Sequence, residues 1–250
     1  MTMIKTECKN LLIVSSMAML LILAGCKKKS DPVAPNTPIA PIDQGSNQQI
    51  KDIDGNVYTS VKIGKQIWMV ENLNVTKFRD GTPIPEYDSF DFPNDGTIGY
   101  LYYLNAMNPP KLFGKLYNYS TIVDPRGLAP VGWHIPTKAE WDSLDVFLDP
   151  VNPYGWSLTA GGMLKDTGTT YWDAPNTNAT NSFGFTALPA GMFDIHQGFF
   201  SAADGFWWSR TITPYDLTQV HIRSVSAING VLSDNTRKKN CGISVRCIKD

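Results

Sequence analysis

The run from Leu11 to Leu23 constrains this chain more than any other stretch. It is apolar enough to leave water, yet its 13 residues fall short of the roughly 20 that a spanning helix needs. Lys5 and Lys9 precede it, and Leu23-Ala24-Gly25-Cys26 closes it. A positive start, a short apolar middle and small residues at 24 and 25 are the parts of a secretory signal. Residues 1–25 are therefore expected to leave the chain, and only the remainder of its 250 residues is available to fold.

Leu23-Ala24-Gly25-Cys26 resembles the lipobox of bacterial lipoproteins. The resemblance implies that the Cys26 thiol accepts diacylglycerol and that the new amino end takes a third acyl chain. Each buried methylene adds about 0.8 kcal/mol, so several chains anchor a protein without any spanning helix. The implied address is the cell envelope, on the outer membrane, at its periplasmic or its external face. Residues 26–49 then read as a tether. Lys27-Lys28-Lys29 opens it, and Pro32, Pro35, Pro38 and Pro41 recur at every third position, the spacing of a semi-extended polyproline segment.

Composition changes at residue 50. The whole chain has a net charge of −1, 18% charged residues and 11% aromatics. Those values exclude a disordered chain, a coiled coil, a basic nucleic-acid binder and a disulfide-dense miniprotein. About 200 residues remain, enough to bury one large core. Val57–Ile63 and Gln66–Val70 are β-rich and flank Gly64-Lys65, which predicts a hairpin. Asp80-Gly81-Thr82-Pro83 carries turn chemistry. Thr137-Lys138-Ala139-Glu140 fits a capping box, with Trp141, Leu144, Phe147 and Leu148 as the apolar stripe behind it. Asn229-Gly230, between Val225–Ile228 and Val231-Leu232, predicts a second tight hairpin. Ile243, Val245 and Cys247 alternate with Ser244 and Arg246, as on a half-buried last strand. The expected class is α+β, with short strands, one or two helices and long connections.

Several strings recur together in one bacterial family. They are Asp52-Ile53-Asp54-Gly55-Asn56-Val57-Tyr58, Ile67-Trp68-Met69-Val70-Glu71-Asn72-Leu73 and Asp80-Gly81-Thr82-Pro83-Ile84. Further along come Gly132-Trp133-His134-Ile135-Pro136-Thr137 with Glu140-Trp141, and the terminal Ser244-Val245-Arg246-Cys247-Ile248-Lys249-Asp250. The chain resembles the Fibrobacter succinogenes major paralogous domain over residues 50–250, a family frequent in lipoproteins of Bacteroidota-type bacteria. The Pro136-Thr137-x-x-Glu140-Trp141 string and the terminal Arg-Cys strand also resemble the formylglycine-generating-enzyme type of C-type-lectin-like fold. That second resemblance implies a twisted antiparallel sheet, flanking helices and long irregular loops across residues 150–210. Neither resemblance supplies catalytic residues.

The candidate site residues come from residue chemistry. Once the signal is cleaved and Cys26 acylated, Cys241 and Cys247 are the remaining thiols. An oxidising compartment favours a bridge. Six residues of extended strand would hold the two roughly 20 Å apart, so pairing requires a bend at Gly242. Two buried thiols are the other outcome. The family resemblance implies a Cys in many relatives just before the Pro-x-Gly-Trp-His string, where this chain has Ala129, and leaves Cys241 as the candidate replacement if a bridge forms. The formylglycine-generating resemblance adds a further alternative, a copper-thiolate oxidase using this thiol pair.

Asp52-x-Asp54-Gly55-Asn56 begins like a calcium loop, but Ile63 stands where the bidentate carboxylate belongs. It reads as an Asp-Gly-Asn turn before a strand. Asp194, Asp204 and Asp216 could offer oxygen ligands, but no Glu-Pro-Asn or Gln-Pro-Asp string accompanies them. No cofactor is expected. His134, His196 and His221 form no spaced pair, and His134 reads as a packed ring bonded to backbone. Trp207-Trp208 should place at least one ring in the core. Tyr154, Trp156, Tyr171 and Trp172, with Phe199-Phe200 as a second tip, are the rings expected to meet a ligand. The favoured reading is a non-enzymatic, lipid-anchored module that binds a glycan or an envelope protein. A structural subunit of a fimbrial or adhesive assembly is the alternative.

Overall fold

Local chemistry at the start of the domain produces its first two ladders. β1 (Ile50–Lys51) and β2 (Val57–Tyr58) pair antiparallel across the Asp52–Gly55 turn. β3 (Ser60–Ile63) and β4 (Gln66–Met69) form the expected hairpin, with Ile63 opposite Gln66. Its two-residue turn places Gly64 at φ +62°, the left-handed conformation that the first position of a type II′ turn needs. In this computed structural model, residues 49–89, 91–102, 110–152 and 157–250 are described. Cys26, the tether through residue 48, Tyr154 and Trp156 lie outside the described residues.

Next come β5 (Tyr100–Tyr102), α1 (Pro110–Phe113), β6 (Lys115–Tyr117), α2 (Tyr119–Ile122) and β7 (Trp133–His134). α3 (Lys138–Leu148) and α4 (Ala160–Leu164) precede the hairpin of β8 (Met192–Asp194) and β9 (Gly198–Phe200). The last elements are β10 (Asp204–Ile212), β11 (Gln219–Ser226), β12 (Ser233–Lys238), β13 (Ile243–Ser244) and β14 (Ile248–Lys249). Two larger sheets result. One runs β12-β11-β10-β13-β6-β5 and is antiparallel except where β13 joins β10. The other runs β3-β4-β14-β7 and is antiparallel throughout. The protein is a mixed α+β fold of mostly antiparallel sheets with few helices.

α3 starts where its capping box says it should. The Thr137 side chain accepts from the Glu140 N–H, and the Glu140 carboxylate accepts from the Thr137 N–H. Trp141, Leu144 and Leu148 are buried with Val61, Ile63, Trp68 and Ile248 of the four-stranded sheet, and each aliphatic side chain so buried stabilises by about 1.5–3 kcal/mol. The Trp68 and Trp141 rings lie 4.6 Å apart. Phe147, the fourth member of the predicted stripe, is half exposed and touches Phe183 instead.

Two expectations about the last third need correction. Asn229-Gly230 does not make a tight hairpin. β11 and β12 are paired only as far as Ser224 opposite Ser233, β11 runs on to Ser226 against β10 alone, and residues 227–232 form a wide loop. The backbone of that loop is engaged by α4 and by Lys165 just after it. Gly162 N–H donates to Gly230 C=O, and Lys165 Nζ donates to Asn229 C=O. Gly161 makes the approach feasible, because a Cβ there would stand 2.2 Å from the Val231 carbonyl oxygen.

The terminal strand is not half-buried either. It breaks after Ser244, so that β13 enters the six-stranded sheet and β14 the four-stranded one, and residues 243–248 are all buried. With neighbours on both sides, its polar positions Ser244 and Arg246 lie inside as well. The break carries Met69 N–H to Cys247 C=O and Leu73 N–H to Val245 C=O, at 2.9 and 2.8 Å.

Candidate functional site

Among the described residues, the rings expected to meet a ligand fall in separate places. Trp172 is 2% exposed, and its indole N–H donates to Ala187 C=O. It is a core residue because the chain from 160 to 187 closes over it with Leu164, Phe185 and Ala187. Tyr171 packs edge-on against Phe113, and Phe199 against Phe193. Phe200 is exposed at the end of β9. Trp207 and Trp208 are both buried, donating to Asn72 Oδ1 and Tyr117 C=O.

Cys241 and Cys247 are both buried and unbridged. Cys241 closes the turn after β12 and faces Asp194 Oδ2 at 3.6 Å, while Cys247 sits between the two terminal strands. Burial pushes both thiols up to about 12, far from the thiolate form that metals and electrophiles require. Asp194 and Asp216 instead accept from N–H groups of their own turns. Among the described residues, no three His, Cys, Asp or Glu side chains are grouped as metal ligands.

His134 differs from expectation too. Its ring nitrogens contact carboxylates rather than backbone, with Nδ1 at 2.7 Å from Asp250 Oδ1 and Nε2 at 2.8 Å from Glu140 Oε1. Burial would raise the Glu140 carboxyl, but bonds from Thr137 and His134 outweigh it and hold that carboxyl below its usual value.

The structure instead presents an open groove of about 650 Å³ over the four-stranded sheet. Its floor is set by strand register. Lys62 on β3 lies opposite Ile67 on β4, and Lys249 on β14 lies opposite Trp133 on β7. Antiparallel pairing of Ile248 with Trp68 puts Lys249 beside Ile67. One row, Lys62–Ile67–Lys249–Trp133, therefore crosses all four strands. Alternation along a strand sends the next row, Val61, Trp68 and Ile248, to the opposite face beneath α3.

Two turns wall the groove. In the first, Asp52 Oδ1 accepts from the N–H groups of Asp54 and Asn56, and its Oδ2 accepts from Asn56 Nδ2 and the Tyr58 hydroxyl. Asp54 accepts from the Thr76 N–H and hydroxyl and pairs with Lys77. The Asp52 carboxylate thus holds the loop together, and that of Asp54 ties it to the Thr76-Lys77 segment. In the second, Trp133 N–H donates to Pro130 C=O across Val131 and Gly132. Gly132 takes φ +80°, as the third position of a type II turn demands. The Arg79 guanidinium clamps this turn through the carbonyls of Ala129, Pro130 and Trp133.

Each turn lifts one aliphatic side chain into solvent, Ile53 at 51% exposure and Val131 at 85%. Lys51, Lys62 and Lys249 are exposed around them. Among the described residues none of the three forms an ion pair. Asp52 is the sole carboxylate of the described lining, and it faces its own loop. The arrangement suits a negatively charged, partly apolar ligand. Sequence reading missed the groove, although Lys62 between Val61 and Ile63 is the outward position of an alternating strand.

The family model for the Fibrobacter succinogenes major domain matches residues 61–249. No curated protein and no solved structure matches the chain.

Proposed function

The chain belongs to the Fibrobacter succinogenes major domain family, and on that footing we propose that it is a lipid-anchored envelope protein presenting a non-enzymatic, C-type-lectin-like binding module for a glycan or another envelope protein. The observation that carries the binding role is the groove, with three ammonium groups, unpaired among the described residues, above a floor that includes Ile67 and Trp133. Those groups favour an acidic ligand. The lipobox at residues 23–26 carries the anchor.

Anchoring and binding are tested separately. Cys26→Ala should release the chain from carbonate-washed membranes that retain the parent, and a variant that still pellets overturns acylation at Cys26. The released full chain, screened against envelope glycans and detergent-solubilised envelope proteins, should lose at least about tenfold in affinity when Lys62→Glu and Lys249→Glu are combined. Unchanged binding by the double variant would remove the groove from the reading. A structural role in a surface assembly is the second reading, supported by Leu158 and Ile228. Both are exposed on neighbouring loops, since a Cβ at Gly230 would meet the Leu158 carbonyl oxygen at 2.5 Å.

A further inference from the structure

The groove lies where the chain enters the fold, because Gln49 and Ile50, the first described residues, are part of its lining. Cys26 precedes Gln49 by 23 residues, a reach of at most about 70 Å if semi-extended. Whatever ends at the anchor is therefore brought repeatedly to this face. Ile53 and Val131 project from turns fixed by the Asp52 carboxylate and by the Arg79 clamp. They are held out from the fold as a pair of aliphatic points, and rigid exposure of that kind marks contact surfaces.

Lys51, Lys62 and Lys249 stand around these points, and the nearby Asp250 carboxylate is engaged by His134 rather than by Lys249. Trp133 is only 6% exposed, which leaves no open ring on which a neutral sugar could stack. We propose that this groove docks onto the anionic headgroups of the lipid surface that holds the anchor, with Ile53 and Val131 entering the headgroup boundary between the three lysines. The inference rests on the groove being the binding site and names the ligand it takes.

Each lysine close to an anionic bilayer improves partitioning about fivefold. Tethering raises the effective concentration of the surface to the millimolar range, so a weak intrinsic affinity suffices for the domain to lie down. Docking in this pose would turn the opposite face of the four-stranded sheet, covered by α3, away from the bilayer.

The test uses the full mature chain with Cys26→Ala, so that no acyl chain contributes, and compares variants that share the same Lys27–Lys29 segment. Cosedimentation is measured with vesicles of phosphatidylcholine alone and of phosphatidylcholine mixed with phosphatidylglycerol. The parent should pellet with the anionic vesicles only, and less so as salt rises. Lys62→Glu with Lys249→Glu should weaken that binding by about tenfold or more. Ile53→Asp with Val131→Asp should remove the part that survives high salt. Equal binding of the parent and both variants to the anionic vesicles overturns the inference. Tighter binding of soluble polygalacturonate than of vesicles, lost in the lysine variant, also overturns it by assigning the groove to an acidic glycan, and leaves the proposed function standing. If no probe responds to the groove substitutions, both readings fall. Unchanged circular dichroism and urea midpoints of the variants exclude misfolding as the cause of any loss.

Discussion

Three interior cations of this fold contrast with the three lysines of the groove. Inside, Arg246 is 1% exposed and donates to Asn72 Oδ1 and Phe185 C=O while stacking on the Phe185 and Trp207 rings. Lys165 donates to the carbonyls of Thr177, Ser226 and Asn229 at 2.8–2.9 Å. Lys115 reaches the Asn74 carbonyl and side chain and lies over Tyr102. Over the four-stranded sheet, by contrast, Lys51, Lys62 and Lys249 have no such partners among the described residues. Neutral oxygens satisfy the interior groups without cancelling their charge, and burial pushes Lys115 and Lys165 down to about 8 and Arg246 to about 9. These three interior cations thus fasten loops to one another, whereas those of the groove carry no such load among the described residues.

Removing an interior fastener should have the largest effect. Arg246→Ala strands the buried Phe185 carbonyl, leaves Asn72 Oδ1 with the Trp207 indole as its remaining donor, and opens a void beside two rings, and urea unfolding should record a loss of about 3–5 kcal/mol. Lys165→Met leaves three carbonyls without donors but also removes a buried charge, for a net loss of about 2 kcal/mol.

The same lysine gives the contrast a pH signature. Its folded value lies below its unfolded 10.5, so the folded state binds fewer protons above about 8. Stability from this group therefore rises with pH in that window. Above pH 9 the buried thiols act the other way, because unfolding lets them ionise. A shallow rise in urea midpoint between pH 8 and 9 should be present in the parent and reduced in Lys165→Met, and an equal rise in both would refute the assignment.

Thr137→Ala, which breaks the α3 capping box, should cost about 1 kcal/mol. Smallest of all, Lys62→Glu with Lys249→Glu should shift stability by no more than about 0.5 kcal/mol. A larger loss would mean that these groove lysines support the fold after all.

Elements written into neighbouring residues were legible from the chain alone. The β3–β4 hairpin and the α3 capping box depend on turn geometry and side-chain caps within four residues, and both form. Asn229-Gly230 is an equally strong local signal, yet Lys165 and Gly162, more than sixty residues earlier, hold its carbonyls and open the loop. Trp172 reads like an exposed loop ring because nothing adjacent reveals the chain that closes over it. The groove was the least legible feature. Its row of side chains exists only once Lys249 sits between Ile67 and Trp133, which are far from it in sequence, and no local periodicity encodes that meeting.

The split between β13 and β14 bears on the order in which the molecule can assemble. Every strand flanking them, β4, β6, β7 and β10, precedes them in the chain. Both sheets therefore lack an interior member until residues 243–249 have been delivered. A polypeptide threaded across a membrane amino end first would stay open along two seams for almost its whole passage, and would close both at once when its final stretch came through.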